Sequence, residues 1–343
     1  MGSFSYRYRC FLGGAALLKE GKETAVVIAQ LKKQWFFVGM AVMALIAFGL
    51  PSVGLFIREY KILNIGIFLA FFITGLTLET SSLVDQLKNV KVLLAALVSS
   101  LFIFPGIAYF LARLAFGAWP DFSIGALIIG VAPVTVASGT VMTALALGNV
   151  PLSLFICVLG NFMSILTIPV VLNLFLQFGD TVIDLPVVQM LTGLTIKVLI
   201  PTLIGQVLRP KLKPFIAPYG KAFSIFNQSI VLLIILNAVS SSAGKILAVG
   251  PVLALVFGFM IGLHILILSM NYGLSKVLRL DRPSTSAFTI HVSQKTLTIS
   301  YLVWAGYFAD AYPMALIPAI CYHLTQMIMD TIVAHRFRRK AEA

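Results

Sequence analysis

Long apolar segments, separated by short basic stretches, recur from residue 34 to residue 335 of the chain. A helix that crosses the hydrocarbon core of a bilayer needs about 20 mostly apolar residues. Ten segments meet this requirement, and they cover residues 34–57, 62–79, 90–117, 122–148, 150–177, 185–208, 219–240, 248–275, 283–308 and 312–335. The sequence therefore predicts an all-α polytopic membrane protein with ten transmembrane helices.

Composition excludes the main alternatives. Of the 343 residues, 59% are hydrophobic and only 11% are charged, whereas soluble domains average about 25% charged residues. So few charges do not supply the polar surface of a soluble fold of this size. A net charge of +13 suggests nucleic acid in a soluble chain, but here the basic residues lie in short clusters between apolar segments. We expect the lipid bilayer as a partner and no nucleic acid.

The distribution of Lys and Arg predicts the orientation in the membrane. With ten spans, 19 of the 25 basic residues fall on one side, 4 fall on the other, and Lys197 and Lys295 lie within spans. Because cytoplasmic loops are enriched in Lys and Arg, the side with 19 is predicted to be cytoplasmic. Both termini then lie in the cytoplasm, as basic tails of residues 1–33 and 336–343. The predicted location is the plasma (inner) membrane.

The ten spans divide into two halves of five, residues 34–177 and 185–335. Five spans in each half give the halves opposite orientations, as in inverted-repeat transporters, whose ligand sites lie at broken helices in corresponding positions. The fourth span of each half carries a polar interruption. Residues 130–140 of span 4 contain Pro133 among Gly, Ser and Thr, and residues 291–296 of span 9 are almost all polar. We predict that spans 4 and 9 are broken, with a proline kink packed on small residues as the alternative for span 4.

Polar residues at the two interruptions are the predicted substrate- or ion-binding residues. Unwound backbone in hydrocarbon persists only where it lines protein or a watery cavity, and half-helix ends present partial charges to ligands. Span 5 is expected to supply further oxygens, or else ordinary interhelical hydrogen bonds. The candidates are Thr135, Ser138, Gly139 and Thr140 in span 4, Asn161 and, more weakly, Ser164 in span 5, and His291, Ser293, Gln294 and Lys295 in span 9.

Lys295 is the most informative single residue. A charge in the middle of a bilayer costs about 2.5–3.5 kcal/mol on insertion scales, and Lys295 lies far from both ends of its span. One interpretation is a structural ion pair with Asp310, Asp330 or Glu79. The others are an ammonium that faces an anionic substrate, an ammonium that stands where a transported cation would lie, and a proton carrier.

Enzymatic chemistry is not expected. The sequence contains none of the common motifs for a nucleophile, a metal site or a phosphate-binding loop. Its 4 histidines and few membrane-embedded acids do not build a catalytic cluster. We predict no enzyme activity, no bound metal and no cofactor, with Na⁺ and H⁺ considered only as ions that would be transported.

Three segments of the sequence resemble the bile acid:sodium symporter superfamily. They are Gly75-Leu76-Thr77-Leu78 at the end of span 2, the stretch from Gly130 to Pro169 with its broken span 4, and Ser293-Gln294-Lys295-Thr296. The last is similar to the divergent, SBF-like branch that contains the seventh member of solute carrier family 10. The resemblance implies a panel domain, a core domain in which spans 4 and 9 cross near mid-membrane, and two sodium ions behind the crossing.

The resemblance carries the sodium sites over only in part. The positions that correspond to the family's ligands are Ser138 and Gly139 in span 4, Cys157 and Asn161 in span 5, Ser100 in span 3 and Gln294 in span 9. The family's sodium-binding glutamate corresponds to Ile290, and Lys295 adds a cation beside Gln294. The site therefore has one negative charge fewer and one positive charge more than the family pattern. At low dielectric this excess positive charge repels Na⁺. We predict transport without sodium coupling, either uncoupled or proton-linked.

As a function, the resemblance implies a secondary active or facilitative transporter of a small organic anion. Transport would proceed by alternating access at the crossing of spans 4 and 9. The same branch also implies an alternative, a non-transporting membrane regulator, for example of calcium homeostasis. The sequence predicts neither a particular anion nor an oligomeric state.

Overall fold

The computed structural model describes residues 35–79, 89–135, 137–177 and 185–342, so the predicted tail of residues 1–33 lies outside the described residues. Within these ranges the regular structure is helical and contains no strand, which confirms the all-α prediction. In chain order the helices are α1 (Trp35–Gly49), α2 (Pro51–Glu59), α3 (Ile62–Thr77), α4 (Val90–Ala115), α5 (Pro120–Val131), α6 (Ala137–Leu145), α7 (Val150–Gln177), α8 (187–216), α9 (Gly220–Ala248), α10 (Gly250–Val277), α11 (Arg282–Ser293), α12 (Leu297–Tyr307) and α13 (Ile317–Glu342).

Several helices are long and apolar enough to cross a membrane. Four continuous helical runs qualify, and α1 with α2, which meet at a bend of 96°, form a fifth candidate. In α10 only 33% of the most apolar stretch is buried inside the protein, so most of its apolar surface faces outward, as a lipid-facing helix requires. The chain is therefore a polytopic membrane protein. The four runs are Val90–Ala115, Val150–Gln177, Val187–Ala248 and Gly250–Val277.

The longest of these runs, Val187–Ala248, folds back on itself. Gly75 of α3 packs against the backbone of Thr202, and Gly66 of α3 packs against the side chain of Ile230. A straight helix would hold these two partners about 42 Å apart, yet the two glycines are about 14 Å apart along α3. The run therefore reverses at the 3₁₀ turn that separates α8 from α9.

The helices pack in two groups. α3 packs on α8, and α1, α2 and α3 pack on α9, so these five helices form the first group. In the second group α10 packs on α11 and α13, α5 packs on α4 and α13, and α11 packs on α6 and α7. α12 contacts both groups. The first group contains the segments predicted as spans 1, 2, 6 and 7.

The first helix break follows from Pro133. Proline has no N–H to donate, and it disfavours the helical conformation of the residue before it. Ala132 accordingly has an extended backbone, with φ −61° and ψ 145°. The helix ends at Val131 and resumes at Ala137, within the interruption that the sequence predicts in span 4.

The second break, at residues 294–296, contains no proline or glycine. Tertiary contacts satisfy the backbone groups that it frees, as buried backbone requires. The N–H of Thr296 donates to the carbonyl of Pro133 at 2.9 Å. The N–H of Lys295 donates to Gln326 Oε1 at 2.8 Å, and Gln326 Nε2 donates to the carbonyl of Lys295 at 2.9 Å. The interruption predicted in span 9 is thus present and is held by its neighbours.

Two predicted boundaries near the C-terminus differ from the structure. α13 begins at Ile317, later than the predicted start of span 10, because residues 308–316 form turns. It then continues to Glu342, so the described part of the predicted tail of residues 336–343 is helical. Arg338 pairs with Glu342 one turn later at 2.8 Å, an arrangement that supports a helix.

Candidate functional site

The two helix breaks lie against each other, and we name this contact region, residues 132–135, 137–138 and 293–296, the junction. Thr135 Oγ1 and Ser138 Oγ both donate to Gln294 Oε1, at 2.5 and 2.9 Å. The two hydroxyl oxygens are 2.6 Å apart. One amide oxygen of span 9 therefore binds both hydroxyls of span 4, and these three polar groups are satisfied inside the protein.

The side chain of Lys295 extends from the second break to the first break and to α4. Its Nζ donates to the carbonyl of Ala132 at 2.9 Å, to the carbonyl of Ser100 at 2.5 Å and to Ser100 Oγ at 3.1 Å. The ring centroid of Phe104 lies 4.4 Å from Nζ. The side chain is 0% exposed. Three oxygens and an aromatic face thus match the three donors and the charge of the ammonium.

The carbonyl of Ser100 is available to Lys295 because of a π-helical turn in α4. In this turn, Ser99–Ile103, the N–H of Phe104 donates to the carbonyl of Ser99, one residue earlier than in an α-helix. The same pattern would pair Ser100 with Pro105, which has no N–H. The carbonyl of Ser100 therefore has no helical donor, and the lysine supplies one.

One of the interpretations of Lys295, an ion pair with Asp310, Asp330 or Glu79, does not hold for any of the three acids. These acids pair as follows: Asp310 with Arg58, Glu79 with Arg209 and Lys213, and Asp330 with His264. Over the described ranges of the chain, no carboxylate lies within salt-bridge distance of Lys295. Backbone carbonyls and a hydroxyl take that place, because the lysine stem extends toward the first break and α4.

His291 joins α11 to the first break and to α7. Its Nε2 lies 2.8 Å from the carbonyl of Thr135, and its Nδ1 contacts Ser153 Oγ. Since a carbonyl only accepts, Nε2 carries the proton, and in the neutral ring Nδ1 accepts from the Ser153 hydroxyl. Gly139 allows this approach, because a Cβ at that position would lie less than 3.0 Å from three ring atoms of His291.

The candidates in and near span 5 divide between the junction and its surroundings. Asn161 Nδ2 donates to the carbonyl of Val134 at 3.2 Å and to the carbonyl of Cys157 at 2.9 Å. It thus contributes an N–H to the first break rather than the predicted oxygen. Cys157 is buried next to Asn161, whereas Ser164 donates to a carbonyl of its own helix at 2.7 Å. Thr140 is half-buried in the first turn of α6.

A hydrogen-bonded ring, which the sequence analysis missed, connects the second break to α10 and α13. Gln294 Nε2 donates to Asp330 Oδ2 at 2.7 Å, and Asp330 Oδ1 lies 2.9 Å from His264 Nε2. His264 Nδ1 lies 2.8 Å from the hydroxyl of Tyr322, which donates to the carbonyl of Ser293 at 2.7 Å. The ring returns to the residue beside Gln294, so the second break is held by ionisable side chains of two other helices.

The sequence contains a signal for this ring. Tyr322, Gln326 and Asp330 are spaced four residues apart, so they share one face of α13. An ionisable residue in a membrane span is a functional candidate by default, because it is costly to bury there. From the sequence alone Asp330 is a candidate only as a partner of Lys295, so it is absent from the predicted site residues.

Residues 34–339 match the SBF-like CPA transporter family. The chain belongs to this family. Its relatives include the probable sodium/metabolite cotransporter BASS4, chloroplastic, of Arabidopsis thaliana, which is 28% identical over 311 residues that cover 87% of this chain and 71% of that protein. Sodium/bile acid cotransporter 7-B of Xenopus laevis is 26% identical over 321 residues, 90% of this chain and 92% of that protein. The predicted superfamily is confirmed. The prediction of no enzyme activity is confirmed as well, because the family and these relatives are transporters.

Proposed function

We propose that this SBF-like chain carries a small organic anion across the plasma (inner) membrane by alternating access at the junction. The proposal rests on one observation: the helix breaks of spans 4 and 9 are hydrogen-bonded to each other. One of these breaks comes from each predicted half of the chain. Transporters built from inverted repeats place their substrate sites at such breaks. In this proposal the helices form ten spans in a 5+5 repeat, the first packing group is the panel, the second is the core, and both termini are cytoplasmic.

The first turn of α6 and the neighbouring Asn161 form the part of the region around the junction that is open to a ligand. Ser138, Thr140 and Asn161 are half-buried, whereas Gln294 and Lys295 are fully buried. A helix N-terminus has backbone N–H groups without helical partners and a partial positive charge. A carboxylate or another anionic group matches that environment. The anion would therefore bind at the start of α6, with Lys295 as a fixed charge behind it.

The contacts of Lys295 support transport that does not depend on sodium. A sodium ion at this place would need the oxygens of Ser100 and Ala132, which the ammonium already contacts. Two positive charges at such short distance repel strongly at low dielectric. Among the functional interpretations of Lys295, these contacts favour an ammonium that stands where a cation would lie over an ammonium that faces the substrate.

Ile290 and Gly139, two positions that correspond to sodium ligands of the family, also lack a side chain that could bind sodium. Ile290, at the position of the sodium-binding glutamate, is buried in an apolar cluster with Ala146 and Ala334. A side chain at Gly139 would overlap the ring of His291, so this position has no room for a further ligand. The residues at these positions do not fit a sodium ion, and the proposal contains no sodium step.

The hydrogen bonding of Asp330 and His264 supports this pair as the holder of a transported proton. Tyr322 donates to the carbonyl of Ser293, so its oxygen accepts from His264 Nδ1. His264 Nε2 faces a carboxylate oxygen of Asp330, so a proton lies between them whichever group owns it. The other carboxylate oxygen binds the second break. Gain or loss of this proton would thus act directly on the junction.

The general proposal is tested by screening organic anions and then measuring transport. Carboxylates, sulfonates and bile acids are tested for an increase in the melting temperature of the purified protein, since a ligand that binds the native state stabilises it. We expect saturable uptake of the stabilising anions into proteoliposomes. Absence of saturable uptake for every stabilising anion would overturn the proposal and favour the membrane regulator.

Replacement of Na⁺ by choline at fixed pH is expected to leave uptake of the best anion unchanged. The physical reason is that Lys295 supplies the positive charge that a sodium ion would supply. Initial uptake rates are measured with protein-free liposomes as the control for leak. A steep dependence on Na⁺ would contradict the proposal and point to the oxygens of Thr135, Ser138 and Gln294 as sodium ligands.

Asp330→Asn is expected to abolish accumulation driven by a pH gradient while equilibrium exchange of the anion continues. An asparagine amide can accept from Gln294 and donate to a neutral His264, so the ring stays closed without an exchangeable proton. Accumulation and exchange are measured in the same proteoliposomes, with Asp310→Asn at an exposed carboxylate as the control. Unchanged accumulation in the Asp330 variant would exclude this proton site.

A further inference from the structure

A basic cavity of about 640 Å³ lies between α10, α11 and α13. Four exposed cationic side chains line it, and among the residues that the structure describes no acidic side chain does. They lie at the end of α10, at the start of α11 and along the last turns of α13. The four are Lys276, Arg282, Arg336 and Lys340. Four like charges around one cavity form a site for an anion.

The cavity changes from apolar to basic along the helix axes. On α10 its lining begins at Leu268 and ends at Lys276, and on α13 it begins at Val333 and ends at Lys340. Each pair is separated by about 11 Å along its helix. Phe337 and Tyr272 lie between these ends, with ring centroids 6.3 Å apart. An apolar inner part and a charged outer part match an amphiphile rather than a small soluble ion.

The inner part of the cavity also contains an unpaired hydroxyl. Thr289 of α11 lines the cavity, its residue is 3% exposed, and its Oγ1 has no hydrogen-bond partner among the described residues. A buried hydroxyl without a partner costs free energy, so native proteins pair nearly all of them. An oxygen of a bound ligand, deeper than its charged group, would satisfy Thr289.

We propose that this cavity binds one anionic phospholipid of the cytoplasmic leaflet. Its phosphate would lie among the four basic side chains, and an acyl chain would lie against Leu268 and Val333. Basic cavities between transmembrane helices on the cytoplasmic side are the kind of site that acidic head groups occupy. The cavity lies on the side for which the sequence predicts the cytoplasm. The lipid would join α10, α11 and α13, which also carry His264, His291 and Asp330 of the region around the second break.

The first test measures binding of short-chain lipids to the purified full chain in neutral detergent. Dioctanoyl phosphatidylglycerol is expected to raise the melting temperature saturably and to give one adduct in native mass spectrometry. Dioctanoyl phosphatidylcholine and inorganic phosphate are expected to do neither at equal concentration. Equal stabilisation by phosphatidylcholine would contradict selectivity for an anionic head group. Equal stabilisation by inorganic phosphate would overturn the proposal that the ligand is a lipid and favour a soluble anion.

The second test uses charge-matched variants of α13. Arg336→Gln with Lys340→Gln removes two cavity charges and is expected to weaken phosphatidylglycerol binding about 30-fold. Arg338→Gln with Arg339→Gln removes two charges of the same helix outside the cavity and is expected to change binding less than about threefold. Thr289→Val, which leaves every charge in place, is expected to weaken binding about fivefold. Equal losses in the two double variants, or full binding by Thr289→Val, would overturn the proposed site.

Discussion

Lys295→Met is expected to reduce anion uptake by roughly 100-fold. Methionine has nearly the length of lysine but no N–H, so the buried carbonyls of Ser100 and Ala132 lose their donor. A buried acceptor without a donor costs about 1–3 kcal/mol, and about 3 kcal/mol for the two corresponds to roughly 100-fold in the population of the assembled junction. Lys295→Gln retains an N–H but is one bond shorter, so it is expected to lose uptake as well.

The measurement is initial uptake into proteoliposomes together with the melting temperature of each purified variant. Lys197→Met is the matched control, because Lys197 is also a lysine within a predicted span but is half-buried in a π-helical turn of α8. It is expected to keep wild-type uptake. Wild-type uptake by Lys295→Met would show that the ammonium neither holds the junction together nor replaces a transported cation.

Gly139→Ala is expected to lower the stability of the protein by about 1–3 kcal/mol, the usual cost of overpacking a buried site. The added methyl group would overlap the ring of His291, which is fully buried and held at both nitrogens. A shift of the ring would strain its hydrogen bonds to Thr135 and Ser153, so the link between α11 and the first break would be weakened. We therefore expect uptake to fall by about tenfold or more.

Gly160→Ala is the control for this substitution. Gly160 lies on α7 and faces the same break, but a Cβ there would meet Val134 at 3.7 Å, an ordinary packing distance. Replacement of glycine by alanine in a helix favours folding by about 0.8–1.0 kcal/mol, so stability should be equal or higher. If Gly139→Ala and Gly160→Ala behaved alike in thermal unfolding and uptake, the close approach of His291 to Gly139 would matter neither for stability nor for transport.

Local sequence was sufficient for those parts of the fold that depend on hydropathy and on proline. The apolar segments follow from composition, because a chain with 11% charged residues has no surface for water and must place its helices in lipid. The first break lies at Pro133, which has no N–H to donate and favours the extended backbone of Ala132 that ends α5. Family membership was also visible in short motifs near Gly130 and Ser293.

Only the tertiary structure decided what the buried polar groups bind. Local sequence does not explain the second break, because residues 294–296 contain no helix breaker and depend on Gln326 and Pro133 from elsewhere in the chain. Two partners of Lys295, the backbone carbonyls of Ser100 and Ala132, were equally hidden, because every residue has a carbonyl and no sequence pattern distinguishes these two.

The hydrogen-bond partners of the buried acid Asp330 are likewise not predictable from local sequence. Asp330 lies in a predicted membrane span, but its partners His264 and Gln294 are 66 and 36 residues away along the chain. Hydropathy and proline act within one helix, so their effects on structure can be predicted from the local sequence. Pairing of buried charges depends on which helices meet and at what depth, and that is settled only when the whole chain has packed.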